Sequence, residues 1–152
     1  MEQIEQTFST PVRILVIEDN AADVELLRMA LEDAQLPADI SVLQDGGAAL
    51  SVFRDATNAY PAPELIVLDL NLPKYDGLEL LEAARSSARF GLTPIAILSS
   101  SSSPREQTRI RAFGRVTYIT KPPELDAYLA IGVRLRDFLL ETRRCAASGV
   151  QA

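Results

Sequence analysis

The chain contains no histidine. That absence removes the commonest general base and the commonest zinc ligand, and with them any Ser-His-Asp triad. Only one cysteine is present, Cys145, so no disulfide can close within the chain, a usage that suits a reducing cytoplasm. Basic residues are outnumbered: 15 Lys and Arg against 21 Asp and Glu leave a net charge of −6. That balance argues against gripping nucleic acid through its phosphates. No apolar run approaches the roughly 20 residues that span a bilayer. The opening MEQIEQTFST is too polar and acidic for a secretion signal. Any chemistry must come from carboxylates, hydroxyls, lysine or a metal that these groups bind.

What is present is ordinary in amount and specific in arrangement. A length of 152 residues with 47% hydrophobic and 24% charged side chains fits one globular domain with a sizeable core. Five short apolar runs recur: RILVIE (13–18), ISVLQD (40–45), ELIVLDL (64–70), PIAILS (94–99) and VTYIT (116–120). The first, third and fourth are nearly continuous aliphatic, as in parallel strands covered on both faces. Between them lie helical patterns. Val24, Leu27, Leu31 and Ala34 fall at helical spacing, with Asn20 placed to cap that helix and Asp23 suited to its first turn. GGAALSVFRD and DGLELLEAARSS predict two more helices. SPREQTRIRAFG predicts a shorter fourth, opened by Pro104 and ended by Gly114. A long final helix is expected from about Pro123–Glu124. Strand and helix alternating five times argue for a doubly wound α/β sandwich with right-handed crossovers. Residues 1–11 and 142–152 read as loose tails around a domain at 12–141.

In such sheets ligands bind outside the carboxyl ends of the strands, and those ends carry an unusual set of residues. The first strand ends in Glu18-Asp19-Asn20, the third in Asp69-Leu70-Asn71, the fourth in Ser99-Ser100 and the fifth in Thr120-Lys121-Pro122. Each has an ordinary explanation alone: paired acids start helices, Lys-Pro makes a turn, and Asp69 could cap the end of its strand. Together they bring three carboxylates, a hydroxyl and an ammonium to one edge. Clustered carboxylates repel, so a proton, a lysine or a cation must neutralise one of them. Oxygen ligands suit Mg²⁺. An acidic metal site with one lysine can receive a phosphoryl group, with a carboxylate as nucleophile.

The motifs ILVIEDN, LIVLDLNLPKYDG, PIAILSS and YITKP closely resemble the receiver domain of two-component response regulators. The resemblance runs over about residues 12–141. Ser99 follows Asp69 by 30 residues and Lys121 follows it by 52, the intervals of the chemotaxis receiver. The resemblance implies a (βα)5 flavodoxin-like sandwich whose five-stranded parallel sheet has the order 2-1-3-4-5. It implies that Asp69 is the phosphoacceptor. Mg²⁺ would be held by the carboxylates of Asp19 and Asp69, by Glu18 through water, and by the backbone carbonyl of Asn71. Ser99 would be the switch hydroxyl, Tyr118 the aromatic that follows it, and Lys121 the phosphoryl partner, with a cis bond to Pro122. Ser100 is small enough to leave room for that movement. Such a protein catalyses only its own phosphorylation and dephosphorylation. Within the family, EDNAAD, LDLNLP and YITKP look most like the stand-alone regulators paired with bacterial and cyanobacterial phytochromes. Arg115 stands where the family usually has alanine, and Pro123 doubles the proline after Lys121.

Rival readings meet specific obstacles. A haloacid-dehalogenase-like phosphatase would need a second Asp two residues after its nucleophile, where this chain has Asn71. A flavodoxin-like nucleotide binder would need a Gly- or Ser/Thr-rich phosphate loop where this chain has acidic EDNAAD. The alternative that remains is a phosphorylation-independent interaction module on the same fold, although Glu18, Asp19 and Lys121 are all retained. No output domain is expected after the receiver. A cytoplasmic protein signalling by contact is therefore implied, with a sensor histidine kinase, and specifically a phytochrome kinase, as donor. The broad apolar arc of the last helix suggests a homodimer through the face of the fourth helix, fifth strand and fifth helix.

Overall fold

The computed structural model describes residues 8–55, 57 and 59–147. Five strands and five helices alternate: β1 (Val12–Ile17), α1 (Ala21–Asp33), β2 (Ala38–Leu43), α2 (Gly46–Arg54), β3 (Leu65–Asp69), α3 (Gly77–Ser86), β4 (Ile95–Ser99), α4 (Pro104–Arg111), β5 (Val116–Thr120) and α5 (Leu125–Ala147). The strands are parallel and ordered β2-β1-β3-β4-β5. The expected doubly wound sandwich is what forms.

The aliphatic runs explain the layers. Every residue of β3 and β4 is buried, and successive side chains leave the sheet on opposite sides. Ile14, Val16, Leu65 and Val67 join α1 and α5 on one side. Leu15, Ile17, Ile66 and Leu68 join α2, α3 and α4 on the other. Each such side chain stabilises the fold by roughly 1.5–3 kcal/mol. β2, at the sheet edge, alternates half-buried with exposed residues along most of its length, which is why its sequence is more polar.

Caps fall where the short polar side chains stand. Asn20 Oδ1 accepts from the backbone N–H of Ala22 at 2.9 Å, Asp45 from Ala48 at 2.7 Å and Asp76 from Leu78 at 3.0 Å. Ser103 caps α4, with Pro104 in its first turn. The turn into β5 is left-handed at two successive residues, Gly114 (φ 76°) and Arg115 (φ 50°). Arg85 of α3 holds this turn. Its guanidinium donates to the carbonyls of Gly114 and Arg115, each at 3.0 Å, and to that of Thr93 at 2.8 Å. Burial, and then Arg115 nearby, lower this guanidinium to about 10.

Ordered structure reaches further at both ends than the sequence suggests. α5 continues through 142–147, where a loose segment is expected. Phe8 is buried in the core. The two corrections share a cause. The Arg143 guanidinium lies 4.4 Å over the Phe8 ring and its Nη2 is 3.1 Å from Glu64 Oε1, so contacts far apart in sequence extend the helix and hold the incoming chain. Residues 1–7 and 148–152 of the expected tails lie outside the described residues.

Candidate phosphoacceptor and metal site

Parallel register brings the strand ends to one edge. Asp69 pairs with Leu98, Ile17 with Leu68, and Ser99 with Thr120. Glu18 therefore leaves β1 beside Asp69, and Lys121 leaves β5 beside Ser99, whose carbonyl accepts the Lys121 N–H at 2.7 Å. Glu18 and Asp69 are each only 4% exposed and Ser99 1%, so these polar groups are held out of water and must find partners.

Lys121 supplies the main one. Its Nζ lies 3.1 Å from Glu18 Oε1, 3.2 Å from Asp69 Oδ2 and 3.2 Å from Asp23 Oδ2. Asp69 Oδ1 also accepts the Asn71 N–H at 2.9 Å. Burial would lower the Lys121 ammonium, but the carboxylates of Asp69 and Glu18 outweigh it and hold it above its ordinary value. Burial, and then the neighbouring Asp69 carboxylate, push Glu18 up to about 8 against the opposing pull of Lys121. One ammonium therefore leaves this cluster short of positive charge.

A divalent cation fits that deficit. Glu18, Asp19 and Asp69 each offer a carboxylate oxygen, and these atoms lie within 4.8 Å of one another. All three donors are hard oxygens, as Mg²⁺ or Mn²⁺ prefer. Asp19 is exposed and opens the cluster to solvent. The side chain of Asn71 ties the segments after β3 and β4 together, its Oδ1 accepting from Ser100 N at 3.0 Å and Ser100 Oγ at 3.3 Å.

Ser99 faces another partner. Its Oγ accepts the Ser101 N–H at 3.1 Å and lies 3.5 Å from Glu106 Oε1. Tyr118 is already inside at 5% exposure, with its hydroxyl 2.6 Å from Glu106 Oε1 and 2.8 Å from Ser101 O. Burial, and then Glu106, raise that phenol. The expected cis bond is not found. No cis peptide occurs among the described residues, so Lys121–Pro122 is trans. The trans form is the lower in energy for X-Pro by about 0.5–1 kcal/mol, and from it the lysine side chain already reaches the carboxylates.

Two neighbours of these side chains escaped sequence reasoning. Asp23 reads as a helix-dipole residue, yet its carboxylate also reaches Lys121. The spacing gave a signal, since the first turn of a helix after β1 must lie at the same sheet edge. Glu106 reads as the glutamate of a Ser-x-x-Glu capping box, three residues after Ser103. Its side chain turns to Tyr118 instead, and no local pattern reports that contact.

Comparison with known proteins agrees with this geometry. The family described as response regulator receiver domain matches residues 14–131. Response regulator Rcp1 of Synechocystis sp. is 31% identical over 135 residues, covering 87% of this chain and 91% of that protein. Among solved structures, the phosphorylated cyanobacterial phytochrome response regulator RcpA superposes with a TM-score of 0.75 at 31% identity, covering 88% of this chain and 96% of that one. The Mn²⁺-bound form of Rcp1 gives 0.73 at 30% identity, covering 87% and 96%.

Proposed function

The chain belongs to the response regulator receiver family, and on that premise we propose that it accepts a phosphoryl group on Asp69 and signals by protein contact. The observation that carries this reading is the Asp69 carboxylate, 4% exposed, paired with Lys121 at 3.2 Å and flanked by Glu18 and Asp19. An Asp69 oxygen attacks phosphorus, and the P–N bond of a kinase phosphohistidine breaks. The leaving imidazole takes a proton from solvent. Lys121 orients the nucleophile and faces the incoming anionic oxygens. When bound, Mg²⁺ neutralises charge on the transferring oxygens. Glu18, Asp19, Asp69 and the carbonyl of Asn71 are the groups proposed to hold it. The protein is a signalling component rather than a turnover enzyme, and it acts catalytically only on its own acyl phosphate.

Ser99 is proposed as the switch hydroxyl. Turning toward the phosphoryl group takes it from Ser101 and Glu106, and Tyr118 and α4 respond. The face of α4, β5 and α5 is then the proposed homodimer surface. Residues 12–141 are taken as the receiver unit. A cytoplasmic site is proposed for it. Among the described residues no helix is long and apolar enough to cross a membrane. A phytochrome kinase is the proposed donor, on the strength of the likeness to RcpA. The test mixes the protein with candidate kinases and radiolabelled ATP. Rapid Mg²⁺-dependent loss of label from a phytochrome kinase to this chain is expected. Transfer only from other kinases would remove the phytochrome pairing and leave the receiver chemistry.

A further inference from the structure

Lys121 forms ion pairs with three carboxylates, and only two of them belong to the cluster that could hold a cation. An ammonium has three N–H donors and accepts nothing. Those donors meet Glu18, Asp69 and Asp23 at 3.1, 3.2 and 3.2 Å. Glu18 and Asp69 converge with Asp19, whereas Asp23 stands outside that group. It approaches from the first turn of α1, with its side chain 29% exposed. Its backbone is tied down at both polar atoms. The N–H donates to Asn20 Oδ1 at 3.4 Å and the carbonyl accepts from Tyr128 Oη at 3.5 Å. The cap of α1 and a side chain from α5 thus fix where this carboxylate can reach.

A divalent cation on Glu18, Asp19 and Asp69 would engage oxygens of two of the three partners of Lys121 and would repel the ammonium itself. Asp23 would be the partner left. We propose that Asp23 is a positioning residue, a carboxylate set aside for Lys121 that keeps the ammonium in the pocket while a cation occupies the other acids. This deepens the phosphoacceptor reading and rests on it. Asp23 is not one of the three clustered carboxylates, and its ion pair is with Lys121. Its effect passes through Lys121.

The chain has two lysines, Lys74 and Lys121, and Lys74 is exposed. Amine-directed labelling followed by peptide mass spectrometry therefore reads Lys121 directly, with Lys74 as the internal standard. In saturating Mg²⁺, Asp23→Asn is expected to raise the Lys121-to-Lys74 labelling ratio roughly three- to tenfold, the range expected for losing one partly exposed, solvent-screened hydrogen bond. Asp23→Glu, which keeps the charge, should restore most of the protection. Without Mg²⁺ the rise should be smaller, because Glu18 and Asp69 still hold the ammonium. An unchanged ratio in Asp23→Asn, or an equal rise with and without Mg²⁺, would overturn the proposal. Calorimetric titration of the wild type with Mg²⁺ separates the two levels. Absence of Mg²⁺ binding there would overturn the parent reading, whereas binding with an unchanged labelling ratio would overturn the role of Asp23 alone.

Discussion

Tyr118 Oη lies 2.6 Å from Glu106 Oε1, so the middle of β5 and the first turn of α4 share one hydrogen bond. Ser99 Oγ stands 3.5 Å from the same carboxylate oxygen. The proposed switch hydroxyl and the buried aromatic are therefore joined through a single side chain of α4. Ser99→Ala is expected to accept phosphate on Asp69 and to lose most of the phosphorylation-dependent change over α4, β5 and α5. Hydrogen exchange with and without beryllofluoride measures it. Equal changes in wild type and Ser99→Ala would remove Ser99 from the route.

Arg85 predicts a stability effect remote from the chemistry. Its planar fork serves carbonyls on both sides of β4, at Thr93, Gly114 and Arg115. A lysine there keeps the charge but cannot hold several carbonyls in one plane. Arg85→Lys should cost about 2–3 kcal/mol, the scale of lost hydrogen bonds to a charged donor. Urea unfolding checks this, and a change below about 0.5 kcal/mol, the usual range for surface substitutions, would mean that the fork is dispensable.

These two contacts mark where sequence reasoning stops. The strands were readable because β1, β3 and β4 are buried on both faces and are almost purely aliphatic. Asp69, Glu18, Asp19, Ser99 and Lys121 were readable as a set because parallel strands must all end at one edge. Their roles came from family resemblance and not from that placement. Glu106 and Arg85 were not readable. Each looks like a local helix residue, a capping glutamate and a last-turn arginine, and only the tertiary packing shows their other partners. The extent of α5 was hidden similarly, since Phe8 and Glu64, which meet Arg143, lie far away in sequence.

Gly132 predicts a packing effect. A Cβ at this position of α5 would lie 1.9 Å from the Ala30 carbonyl oxygen of α1. Backbone cannot yield there without separating the two helices. Gly132→Ala should destabilise the protein by roughly 1–3 kcal/mol, despite the higher helix propensity of alanine. A thermal melt equal to wild type would show that α1 and α5 are not so closely packed.

Glu18 predicts a pH dependence in the metal-free protein. Its folded value, about 8, lies above the ordinary 4.5. Between those values the folded state binds more protons than the unfolded chain. Stability from this group is therefore present at low pH and is lost as pH rises through about 8. Lys121 stays protonated in both states across that window and adds no slope. Melting in EDTA from pH 5 to 8 should show a decline that Glu18→Gln flattens and saturating Mg²⁺ reverses. A slope unaltered in Glu18→Gln would place the titration elsewhere.

The most direct test of the central claim is to incubate the protein with acetyl phosphate and locate the phosphoryl group by mass spectrometry of trapped peptides. The account predicts modification at Asp69 that requires Mg²⁺, disappears with EDTA and is absent from Asp69→Asn. Phosphate on a serine of the 99–103 run, or undiminished labelling of Asp69→Asn, would contradict it.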